Sequence, residues 1–105
     1  MTDSPSLIGR AADLLDGAYR YGLDHVDLPD RALFALHEAA EIQTELMRLA
    51  GLYSTHADPA TDPAAALTQA ADYLYDAGPD VPVSERLTLV GFELRLRRLA
   101  EQVQP

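Results

Sequence analysis

The sequence predicts an all-α fold: one domain over residues 1–105, built as a four-helix up-down bundle with helices at roughly 5–26, 29–50, 63–77 and 84–103. Three observations predict it. Apolar residues recur at steps of three and four in four separate runs, and no segment reads as a strand. Proline and glycine stand between the runs, at Leu28-Pro29, Asp62-Pro63, Gly78-Pro79 and Pro82-Val83-Ser84. The chain of 105 residues is 48% apolar, enough to bury one core without disulfides or metals.

In the first run Ile8, Ala12, Leu15, Tyr19, Leu23 and Val26 share one helical face, with Leu7, Ala11, Leu14 and Ala18 beside them. Gly9, Gly17 and Gly22 each lower helix propensity by roughly 1 kcal/mol relative to Ala, so packing must sustain this helix. Arg10/Asp13 and Asp16/Arg20 are spaced to pair on its wet side. The second run is the most regular: Leu28, Ala32, Ala35, Ala39, Ile42, Leu46 and Leu49 form a seam of period 3.5. Leu33, Leu36, Ala40 and Met47 widen its apolar arc beyond what a single neighbour covers, which predicts a central position. Pro29 and Asp30 suit its first turn and Gly51 its C-terminal stop.

Residues 52–61 show no sustained period and read as a loop, closed by Asp62 as N-cap and Pro63 at the first helical position. The third helix, 63–77, is Ala-rich; Leu67, Ala70, Ala71 and Leu74 face inward, Tyr73 and Tyr75 flank them at the core rim, and Gly78-Pro79 ends it. The fourth run starts with Ser84 as N-cap and carries a core stripe of Leu89, Phe92, Leu96, Leu99 and Val103. A second stripe, Leu87, Val90 and Leu94, lies on its other side. It must be covered by the 52–61 loop, by residues 79–83 or by a second protein chain.

Composition narrows the function classes. With no cysteine there is no disulfide framework, no thiolate nucleophile and no thiolate-held metal, as suits a reducing cytoplasm. Residues 1–15 lack the pattern of a signal peptide and no apolar stretch reaches membrane-spanning length, so a soluble, cytoplasmic protein away from the membrane is expected. All basic residues are Arg, and Lys and Asn do not occur, a bias that fits a GC-rich bacterial gene. Residues 1–80 hold four Arg against 14 carboxylates, whereas residues 81–105 hold four against three. So acidic a body repels a phosphate backbone, which disfavours nucleic acid as a partner.

Candidate chemistry concentrates on the second helix, where His37, Glu38, Glu41, Glu45 and Arg48 share the face opposite the seam. His37-Glu38-Ala39-Ala40-Glu41 resembles the zincin His-Glu-x-x-His motif, with Glu41 in place of the second histidine. The Glu38-x-x-Glu41 pair is similar to that of the all-helical nucleotide pyrophosphohydrolases of the MazG type. That resemblance implies Mg²⁺ held by carboxylates against a substrate phosphate, although Asp72 and Asp76 stand four apart where the family has Glu-x-x-Asp. Arg31 with His37 six residues on resembles the Arg/His motif of the helical HEPN ribonucleases, which implies RNA cleavage at a dimer interface. The simpler reading is a solvated face with His37/Glu41 and Glu45/Arg48 as local pairs, no cofactor and no metal.

Other polar residues have structural explanations: capping or solvent exposure for His25 and His56, and complementation of the last helix's negative end for Arg95, Arg97 and Arg98. Phe34 is the anomaly, a large ring at the centre of the charged face. The expected function is therefore a non-catalytic interaction or regulatory module, acting through a homodimer or another protein, with Phe34, Leu87, Val90 and Leu94 as contact residues.

Overall fold

Residues 30–50 contain neither glycine nor proline, and they form the most regular helix of the protein. The computed structural model describes residues 4–51 and 57–104, which fold into α1 (Ser4–Asp24), α2 (Asp30–Ala50), α3 (Pro63–Ala77) and α4 (Val83–Val103), with no strand among the described residues. The α2 seam is buried as its period requires: Ala32, Ala35, Ala39, Ile42 and Leu46 lie in the core, and Leu28 and Leu49 pack at its margin. The Pro29 carbonyl accepts the amides of Ala32 and Leu33, at 2.9 and 3.1 Å. Gly51, at φ 71°, takes the left-handed position that ends the helix at low steric cost.

The first helix departs from expectation at its end. It stops at Asp24, and Leu23 and Val26 are exposed. The buried arc is centred on small residues, Ala11, Ala18 and Gly22, which bring the backbone close to its neighbours; a Cβ on Gly22 would stand 2.9 Å from Leu36 Cδ1. Leu23 falls at the margin of that arc, and Val26 beyond the helix end. His25 closes the end as a cap, stacked on the Tyr21 ring at 3.9 Å with Nδ1 2.8 Å from the Tyr21 carbonyl. Asp16 is buried rather than wet, and its carboxylate accepts from Arg20 Nε at 3.0 Å.

Asp62 and Pro63 start α3 as predicted, with Asp62 Oδ1 accepting the Ala65 amide at 3.1 Å. Residues 57–60 are irregular; residues 52–56 of the expected loop, His56 among them, lie outside the described residues. Gly78 keeps right-handed dihedrals, and the chain continues as a 3₁₀ turn over Gly78–Asp80 before Val81 breaks away. Ser84 is not the cap of α4. The helix begins one residue earlier, because the Pro82 carbonyl accepts the amides of Glu85 and Arg86 at 2.9 and 3.0 Å without help from a side chain. Arg86 ties the corner by donating to the carbonyls of Gly78 and Val81.

One core draws on all four helices, with Leu15, Leu36, Ile42, Leu46, Leu67, Leu74, Leu89 and Leu96 fully buried. Its Cα radius of gyration, 12.8 Å, matches the roughly 13 Å of a single domain of this length. The order around the bundle is not the order along the chain. α1 packs on α2 and α3, and α4 packs on α3 and α2, which leaves α2 and α3 on a diagonal. The ends of α1 and α4 and the starts of α2 and α3 line a single cavity, so α2 and α3 run the same way while every neighbouring pair is antiparallel. Gly51 and Pro63 therefore stand at opposite ends of the bundle, and the Ala60 amide donates to the Gly17 carbonyl at 2.9 Å where residues 57–60 pass α1. The central helices are α1 and α3 rather than α2: each of the two packs extensively on two neighbours, whereas α2 packs extensively on α1 and less on α4.

Candidate functional site

On α2 the charged face is where the wheel places it, and its members are engaged with polar partners. His37 Nε2 lies 3.5 Å from Glu41 Oε1, and Arg48 pairs with Glu45. Glu38 turns away from Glu41 and accepts from Arg95 of α4 at 2.8 Å, a bridge between neighbouring helices. The two carboxylates of the Glu-x-x-Glu spacing are thus drawn to different partners.

The four carboxylates that the pyrophosphohydrolase resemblance would use are not brought together, since α2 and α3 are diagonal in the bundle. Asp72 is instead held by Arg97 at 2.9 Å, and Asp76 is exposed. Arg31 and His37 also face different neighbours within one chain. Arg31 lines the cavity shared with α3 and α4, whereas His37 lines a groove against α1. Among the described residues, no group of three His, Asp or Glu is placed to hold a metal ion. Replacing Glu41 by Gln removes one exposed local pair, so stability should stay within about 0.5 kcal/mol of wild type in urea melts.

Arg95 and Arg97 do more than complement a helix end: both make tertiary ion pairs. Arg97 donates to Glu93 and to Asp72, each at 2.9 Å, and these hydrogen bonds, Glu93 first, raise its pKa above the ordinary arginine value. The i,i+4 spacing of Glu93 and Arg97 was legible in the sequence. Their link to Asp72 depends on how α3 and α4 pack.

The apolar contact residues are displayed as expected. Phe34 is 73% exposed, Leu87 78%, Val90 43% and Leu94 55%. Sequence reasoning missed two members of the α4 surface. Val83 is exposed four residues before Leu87, and it joins the stripe because α4 begins there rather than at Ser84. Tyr75, placed by its spacing at the core rim, is exposed too, on the α3 wall of a groove of about 310 Å³ that Val90 also lines. The structure thus assembles one surface along the outer side of α4: Tyr75, Val83, Leu87, Val90 and Leu94, with Gly91 open among them.

Two other concavities are present. A cavity of about 830 Å³ opens at the end where α2 and α3 begin, with Arg31, Gln69 and Gln102 beside Leu28, Pro63 and Val103. Two helix N-termini and two C-termini meet there, so their partial charges offset one another. A groove of about 200 Å³ runs between α1 and α2, lined by Leu23, Val26 and Leu33. Among the described residues no helix is long and apolar enough to cross a membrane. Searches of protein-family models, curated proteins and solved structures find no match to this chain.

Proposed function

We propose that this protein is a non-catalytic interaction module of a bacterial cytoplasm that works by pairing with a second copy of itself through the outer face of α4. The observation that carries this reading is the apolar row Val83, Leu87, Val90 and Leu94, which stays exposed on a helix whose opposite face is already buried. Apolar rows on helices exist because something covers them, and closed two-fold pairing is the commonest way for one chain to do so. The engagement of Glu38 with Arg95 and of Glu41 with His37 supports a structural role for the α2 face.

Light scattering on the purified chain tests the proposal. The wild type is expected as a dimer at micromolar concentration, and Val90→Glu as a monomer with unchanged helical circular dichroism. A wild type that stays monomeric at high micromolar concentration overturns it. The competing enzymatic readings are tested by Mg²⁺-dependent nucleotide hydrolysis and by RNA cleavage. Activity lost in Glu41→Gln, or in a variant of Arg31 or His37, would place a reaction on α2 instead.

A further inference from the structure

We infer that α4 pairs antiparallel with the α4 of a second copy, Val83 against the copy's Leu94 and Leu87 against the copy's Val90. This rests on the homodimer reading above and adds to it the orientation and register of the two chains. Spacing sets the register. Steps of four, three and four make a seam of period 3.5, and antiparallel helices with such seams layer the two kinds of seam position against each other. The four residues meet that condition with themselves and leave none over.

Area and charge indicate that the occupant is another copy. Tyr75, Val83, Leu87, Val90 and Leu94 together expose on the order of 500 Å² per chain, most of the roughly 800 Å² per partner that a stable pair buries. The groove of about 310 Å³ beside Val90, walled by Leu74, Tyr75 and Pro79, gives the copy's side chains a concave seat. Each chain carries a formal charge of −9, so two copies repel over most of their surface. Residues 81–105 hold four Arg against three Glu, which makes α4 the side on which two copies approach with least repulsion.

Arg98 decides the orientation. It is exposed, continues the row one turn past Leu94, and has no ion-pair partner among the described residues. Parallel pairing would set Arg98 against the copy's Arg98 and align two helix dipoles. Antiparallel pairing opposes the dipoles and separates the two guanidinium-bearing positions by about 28 Å along the axis, at 1.5 Å per residue.

The chain has no cysteine, so single-cysteine variants give clean disulfide mapping. Val83→Cys and Leu94→Cys replace exposed side chains, and each should keep the wild-type helical signal. Mixed and oxidised, the two variants should form a covalent heterodimer as the main product. Leu94→Cys alone should stay uncrosslinked, because the copies' Leu94 positions lie about 16 Å apart in this register. Added salt should tighten association by screening the repulsion between the acidic bodies. Crosslinking of Leu94→Cys to itself without the heterodimer means a parallel pair, which overturns this inference and leaves the homodimer reading standing. A wild-type dimer in which neither pairing crosslinks overturns the α4 interface, and a monomeric wild type overturns both.

Discussion

Ala39→Asp is expected to abolish cooperative unfolding. Ala39 is fully buried on the α2 seam among the apolar residues of the core; Asp16, a buried charged residue of α1, is itself a carboxylate and is already held by Arg20. Burying an unpaired carboxylate there costs several kcal/mol against a total stability of about 5–15 kcal/mol. Ile42→Asp adds the loss of a fully buried large side chain to the same penalty. Urea melts followed by circular dichroism should show a broad, low-amplitude transition for both variants. Wild-type melting of either one would mean that the seam does not form the core.

Gly17→Ala should destabilise the protein by about 1–3 kcal/mol, although the same change in an open helix adds up to about 1 kcal/mol. A Cβ at Gly17 would stand 2.9 Å from the Asp58 carbonyl oxygen, which is backbone and cannot rotate aside. The passing connection would have to lift, at the expense of the Ala60–Gly17 hydrogen bond. Gly91→Ala is the counterpart of opposite sign. Its Cβ meets nothing within 4 Å in its own chain, so the melting midpoint of the helix-stabilised variant should rise. A gain at both positions would mean that residues 58–60 do not rest on α1.

These two results separate what is local from what is not. The α2 seam, the Asp62-Pro63 start and the Gly51 stop depend on neighbours within a turn or two, where spacing and capping chemistry act directly. The same holds for the His37/Glu41 and Glu45/Arg48 pairs, and for the outward direction of Leu87, Val90 and Leu94, set by their angle on the helix. Side-chain chemistry points to Ser84 as the cap of α4, whereas the cap is Pro82, which offers only a carbonyl. A helix begun at Ser84 leaves Val83 off the candidate surface, and one begun at Val83 adds it.

The sequence by itself determined that this chain is helical, where the core stripes of α2 and α3 lie, and that Leu87, Val90 and Leu94 of α4 are left outside. Periodicity and capping are short-range properties, so a linear pattern carries them. Tertiary structure alone decided that α2 and α3 stand on a diagonal, that Glu38 reaches Arg95 and Arg97 reaches Asp72, and that Tyr75 joins the α4 face. Each of these depends on which helices become neighbours. A connection of a dozen residues is long enough to reach either end of the bundle, so helix spacing does not specify which helices become neighbours; the packing of α1 on both α2 and α3 is a property of the folded core.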